Sequence, residues 1–228
     1  MRRFLPLLIA IAITLPSCMP PRRGKVSHFR VSILNTLPVA RMDVPIVIPI
    51  GDIRKVASDF TLNAFLVSDP DERRDLASQA EDMDGDGEMD TLVFTVNLEP
   101  EYHKEVLVRY DPKAPMSFTL GYTRRSFGGV FPELEGIAIE SKRAAYRFLP
   151  YEAAFLPIPK SEETLSLGEL MRKLGPGSEL DLPTAEGGFG CGGFKLWRDG
   201  KLYGPEGSRV FTGMVSKGPV RSVGRVVY

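Results

Sequence analysis

Asp82-Met83-Asp84-Gly85-Asp86-Gly87-Glu88-Met89-Asp90-Thr91-Leu92-Val93-Phe94-Thr95-Val96-Asn97-Leu98 joins an acidic turn to the clearest strand in the chain. In an extended backbone Leu92, Phe94 and Val96 face one side, and Val93, Thr95 and Asn97 the other. The turn before it has the spacing Asp-x-Asp-x-Asp-Gly-x-x-Asp. Ca²⁺ takes about six to eight oxygen ligands, and alternate side chains of a tight loop can converge on one ion. Asp82, Asp84, Asp86 and Asp90 would supply side-chain oxygens, Glu88 a backbone carbonyl, and Gly87 the sharp turn. An EF-hand would place a bidentate Glu at the twelfth position. That position is Val93, inside the apolar run, which argues against a helix-loop-helix site. Two readings remain: a structural Ca²⁺ loop, or a solvated acidic turn.

Outward from this hairpin the chain keeps reading as short strands. His28–Leu34 alternates, and Val44–Ile50 is β-branched with prolines at its margins, as an edge strand tolerates. Thr61–Val67, Glu105–Tyr110, Ser117–Tyr122, Gly136–Glu140, Ala144–Leu149, Gly193–Trp197, Arg209–Val215 and Val220–Tyr228 continue the pattern. Gly, Pro and Asp punctuate the gaps, and 19 prolines with 22 glycines supply the turns that an all-β chain needs. The expected fold class is all-β, mainly antiparallel, a β-sandwich. One short helix is expected near 166–174. Ser166 and Glu169 have capping-box spacing, Leu167, Leu170, Met171 and Leu174 share a face, and Gly175-Pro176 ends it.

The N-terminus reads as an export signal over residues 1–18. Arg2-Arg3 precede an apolar stretch, Phe4 to Leu15, too short to span a bilayer of ~20 residues. Ser17-Cys18 resembles a bacterial lipobox, with Cys18 as the lipidation site; Pro16 is atypical there and keeps simple secretion as the alternative. Residues 19–27 read as a flexible tether and 28–228 as the β-sandwich domain. The expected location is therefore exported: periplasmic, anchored to the outer membrane, or secreted. The only membrane contact would be the lipid on Cys18.

The chain holds 29 basic and 29 acidic residues with no clustered basic face, which argues against a nucleic-acid partner. Two histidines, His28 and His103, exclude a His-rich metal centre. Processing at Cys18 would leave Cys191 as the one thiol and no intrachain disulfide. Cys191 lies in the glycine-rich run Glu186–Gly193, which matches neither a P-loop nor a dinucleotide turn, and it reads as a structural thiol. Asp199-Gly200 marks a hairpin turn beside Trp197.

Certain motifs resemble a known bacterial family, the domain-of-unknown-function family 4861. They are Leu37-Pro38-Val39-Ala40-Arg41 with Val44–Ile48, Ser78-Gln79-Ala80 leading into Asp82–Asp90, and Leu92-Val93-Phe94. Gly136–Ser141 with Ala145-Tyr146-Arg147, Gly190–Phe194 with Leu196-Trp197 and Asp199-Gly200, and Gly218-Pro219-Val220-Arg221 complete the set. The resemblance implies a sandwich of the large, mutarotase-like kind, in a secreted or lipid-anchored protein associated with the breakdown of acidic plant or algal polysaccharides. Lys142 departs from it, standing where an acidic residue is expected. The run Val226-Val227-Tyr228 ends where such chains are expected to continue, so a short or C-terminally truncated member is expected.

These readings give an exported protein of acidic polysaccharide metabolism that binds or processes a uronate-containing glycan. A non-catalytic binding or structural surface lipoprotein is the alternative. For catalysis the candidates are Glu140, with Glu133 and Glu135 as carboxylate partners, His103 and Tyr146, with Tyr122 as a further base. Arg124 or Arg125 would grip a carboxylate in a bidentate manner, and Trp197 would stack on a sugar. The competing reading for Glu140 is a cross-strand ion pair with Arg147.

Overall fold

A computed structural model of the chain describes residues 26–113, 122–134, 136–150, 153–173, 195–204 and 208–228. The export signal, Cys18, the glycine-rich run, Cys191, Glu135 and all but the last residue of the strand expected at Ser117–Tyr122 lie outside these residues, as does the side chain of Glu133. The order is β1 (Ser27–Leu34), β2 (Arg41–Pro49), α1 (Ile50–Val56), β3 (Phe65–Asp69), β4 (Arg74–Leu76), β5 (Ser78–Glu81), β6 (Thr91–Leu98) and β7 (His103–Tyr110). Then come β8 (Ser126–Phe131), a 3-10 turn (Pro132–Leu134), β9 (Gly136–Ser141), β10 (Ala145–Leu149), β11 (Ala154–Ile158) and α2 (Leu167–Lys173). β12 (Leu196–Arg198), β13 (Lys201–Tyr203), β14 (Phe211–Lys217) and β15 (Ser222–Val227) follow. All pairings between these strands are antiparallel, so the all-β, sandwich-like expectation holds.

Two sheets, β1-β7-β3-β4 and β2-β6-β5, enclose the main core. The alternation in β6 sends Leu92, Phe94 and Val96 into it, against Val106 and Val108 of β7. At one end Phe60 meets Phe29 and Tyr110 edge to face, with centroids 5.7 and 5.2 Å away, a geometry that aromatic quadrupoles favour. Val93, on the opposite face of β6, is also wholly buried. That burial shows that the outer side of this sheet is covered as well.

The cover comes from the second half of the chain. The sheet β11-β10-β9-β8 packs one face on α2 through Leu134, Ala138, Ala145, Ile158 and Leu167. The β14–β15 hairpin lies over β8 and β9. Its turn reaches the outer face of β5. There Gln79 Oε1 accepts the backbone N–H groups of Val220 (2.7 Å) and Arg221 (3.1 Å). Gln79 Nε2 donates to Ser216 Oγ (2.9 Å), the Arg221 carbonyl (3.0 Å) and Glu81 Oε1 (2.7 Å). Arg221 in turn grips both oxygens of Glu81, whose side chain is fully buried. Burial alone would raise the Glu81 pKa; the Arg221 and Gln79 donors outweigh it and hold the carboxyl below its ordinary value. Gly218 makes the approach possible, because a Cβ there would lie 2.1 Å from Gln79 Oε1.

Local departures from the sequence expectation have physical causes. Thr61–Ala64 is a loop and the strand starts at Phe65. Ile50 opens α1 instead of closing β2, with Pro49 at the N-cap. α2 forms where expected, but its capping box does not. Ser166 Oγ donates to Glu140 (3.2 Å), and Glu169 pairs with Lys173 (2.8 Å). The carboxylate brought by the sheet supplies the cap in place of the local side chain.

Glu81→Ala strands the Arg221 guanidinium and the Gln79 amide against the outer face of β5. The expected loss is about 3 kcal/mol, read as a lower urea midpoint with an unchanged slope.

Candidate functional site

Where the two halves meet lies a cleft of about 430 Å³. Asp43 and Thr95 line it from β2 and β6, Val220, Arg221 and Ser222 from the β14–β15 turn, and Arg125, Ser126, Ile139 and Tyr146 from β8–β10 and its approach. Ligand sites favour such junctions.

Asp43 sits at a bulge, where the β2–β6 register shifts between Arg41 and Val44. Its φ of 55° is left-handed, a conformation that costs a non-glycine residue on the order of 1 kcal/mol. Asn97 Oδ1 accepts its N–H at 3.0 Å, and its carboxylate pairs with Arg125. The two side chains are 61% and 37% exposed, so water screens the pair and it contributes less than about 1 kcal/mol. Arg125 is also fixed independently of Asp43. Its guanidinium donates to Thr95 Oγ1 (2.7 Å) and its backbone N–H to the Pro219 carbonyl (2.8 Å).

Tyr146 stands at the rim, 45% exposed. It shares a face of β10–β11 with Phe148 and the exposed Phe155, whose rings stack obliquely with centroids 4.6 Å apart. Phe148 is itself buried, so Tyr146 and Phe155 are the exposed rings of this face.

The carboxylate of Glu140 is turned to the α2 side of the sheet. It accepts the N–H groups of Ser166 (2.9 Å) and Leu167 (2.9 Å) and forms an ion pair with Lys160. Burial pushes its pKa up, and the Lys160 and amide donors more than reverse this, leaving it below the ordinary glutamate value. The partner of Glu140 is thus Lys160; Arg147 faces Ala138 across β9. The backbone explains the switch. Glu140 and Arg147 are not in register, whereas β11 and its extension bring Lys160 back over the end of β9.

The other candidates are dispersed. His103 lies exposed at the start of β7 with Ser32 Oγ on its ring. Arg124 is exposed beside Arg125 and does not line the cleft, as the divergence of adjacent side chains requires. Trp197 is 65% exposed on the β12–β13 hairpin. Tyr122 is half-buried, and burial raises its hydroxyl pKa. Asp43, Thr95 and Arg221 escape single-sequence reasoning as site residues because only the fold brings β2, β6 and the last hairpin to Arg125.

The acidic loop spans the β5–β6 turn. Asp82, Asp84 and Asp86 each offer an oxygen within 4.8 Å of the others. Asp82 accepts the amides of Gly85 (2.6 Å) and Gly87 (2.9 Å), whose φ values are 90° and 93°. These amides hold the Asp82 carboxyl below its ordinary pKa. Glu88 donates its N–H to Asp86 Oδ1, and Asp90 accepts that of Met83 (2.6 Å). Three converging carboxylates fit a hard cation whose remaining ligands are carbonyls or water.

The family described as "Domain of unknown function (DUF4861)" matches residues 33–151, more than half of the chain. The chain belongs to this family. The matched DUF4861 segment runs from the end of β1 through β10 and contains Asp43, the acidic loop, Thr95, Arg125 and Tyr146; the Val220–Ser222 turn lies beyond it. No curated protein and no solved structure matches the chain.

Glu81 and Glu140 have folded-state pKa values below their unfolded ones. Their contribution is present above the ordinary glutamate value, near 4.3, and is lost as pH falls through the depressed folded values. Urea unfolding of the DUF4861 protein is therefore expected to weaken from about pH 5 downward. Glu140→Gln, which leaves Lys160 without its anion, is expected to lower stability by about 2–4 kcal/mol at neutral pH and to flatten the acid limb.

Proposed function

We propose that this protein is exported and binds a uronate-containing polysaccharide without cleaving it. The carrying observation is the cleft in which Arg125 and the exposed ring of Tyr146 line one surface. A uronate presents a carboxylate and an apolar ring face. A guanidinium suits the first and an aromatic ring the second. The exposed ring of Phe155 on the same face would offer a second stacking surface.

Binding is favoured over turnover by the state of the carboxylates. Glycoside hydrolysis uses two carboxyl groups, ~5–5.5 Å or ~6.5–9.5 Å apart, flanking the bond. Glu140 borders the cleft but turns its carboxylate to the α2 side, where Lys160 and the amides of Ser166 and Leu167 hold it, and the Asp43 carboxylate is paired with Arg125. Export to the glycan rests on Arg2-Arg3, Phe4–Leu15 and Ser17-Cys18, with Cys18 lipidated. The acidic loop holds a structural Ca²⁺ through Asp82, Asp84 and Asp86, which would pin the β5–β6 turn beside the Glu81 junction.

A glycan array followed by calorimetry on oligogalacturonate and oligoglucuronate is expected to show binding. Arg125→Gln and Tyr146→Ala should each weaken it about tenfold. Neither unsaturated products nor new reducing ends should form. Absence of uronate binding, or appearance of product, overturns the reading. For the ion, Ca²⁺ at about 100 times its Kd is expected to add about 2.7 kcal/mol, seen as a raised Tm that EDTA reverses and Asp84→Ala abolishes. A Tm indifferent to both reagents refutes the Ca²⁺ site.

A further inference from the structure

Asp43 poses a question that the fold alone does not answer. Its backbone is left-handed at a bulge, and the bulge aims its carboxylate at Arg125. Left-handed non-glycine residues persist where surrounding structure holds them, and they cluster at ligand clamps. Asn97 supplies the hold here, through its bond to the Asp43 N–H. The resulting ion pair is exposed and easily exchanged.

Arg221 gives the contrast. It lines the same cleft, but its counterion is the buried Glu81, with Gln79 and Ser216 around it. No incoming anion can replace Glu81 without opening the junction. Arg125 keeps its position through Thr95 and Pro219 if Asp43 leaves.

We infer that Asp43 is a placeholder carboxylate, occupying the anion seat of Arg125 until a ligand carboxylate displaces it. The inference deepens the uronate-binding reading and rests on it. Its consequence is selectivity: a neutral sugar offers nothing to exchange for Asp43, whereas a uronate offers the same group in the same seat. Displacement swings Asp43 outward on its bulge and leaves the seat lined by Thr95, Ser126 and Ser222.

The test follows the Arg125 Nε–Hε resonance of the full chain, assigned by its loss in Arg125→Gln, during titration with sodium galacturonate and, as the neutral control, galactose. Asp43→Asn keeps the side-chain size and the tolerance for left-handed backbone. It is expected to bind galacturonate about two- to five-fold tighter than the wild type, the range that an exposed ion pair corresponds to, with the gain growing as salt is lowered. Galactose should leave the resonance unmoved in both. Should Asp43→Asn fold poorly, Asp43→Gly, which relieves the backbone, is expected to show the same gain. Equal or weaker binding by the variant, or an Arg125 resonance insensitive to galacturonate in it, overturns the placeholder. A gain on galacturonate with no polymer retained on the array supports the placeholder and sinks the polysaccharide reading. Polymer binding that Arg125→Gln abolishes and Asp43→Asn leaves unchanged does the reverse.

Discussion

A glutamate with no solvent around it holds the halves of this molecule together. Glu81 would be untenable as an isolated buried charge. Arg221 and Gln79 make it tenable only when the last hairpin is docked on β5. The partners stand far apart in sequence, so the contact forms late in any assembly that starts from local hairpins. Once made, it covers Val93 and brings the Val220–Ser222 turn against Arg125. The cleft is therefore a by-product of satisfying one carboxylate.

The same logic sorts the charged residues of the site. Glu140 and Glu81 are buried carboxylates each held by a cation and by amide donors, and their depressed pKa values express this. Such groups build the scaffold. The Asp43–Arg125 pair differs because solvent reaches both members, so its partners are exchangeable. Exposure, more than proximity to the cleft, separates structural from ligand-facing charge here.

Much of the strand order was legible in local pattern. β6 has clean alternation and appears with the expected limits. α2 announces itself through Leu167 and Met171, which face the second core. β8 was hidden because Gly128-Gly129 carry no side-chain periodicity, and β11 because Pro157 sits inside it. Proline is tolerated there because β11 is an edge strand, paired only with β10 among the described strands. Of the site, Arg125 and Tyr146 could be named from residue chemistry. Asp43 and Thr95 could not, since their role arises from the β2 bulge and the register of β2 on β6. Glu140 had the right chemistry for catalysis and the wrong surroundings, which only the path of the chain back to Ser166 discloses.

The lone tryptophan has a practical consequence. Trp197 sits on a two-residue-turn hairpin, 65% exposed and a member of neither described core cluster. Its emission in the native protein will already resemble that of a solvated indole, and denaturation will change it little. Spectroscopists should instead watch the ring cluster of Phe29, Phe60 and Tyr110, through near-ultraviolet tyrosine dichroism, to see the main core come apart.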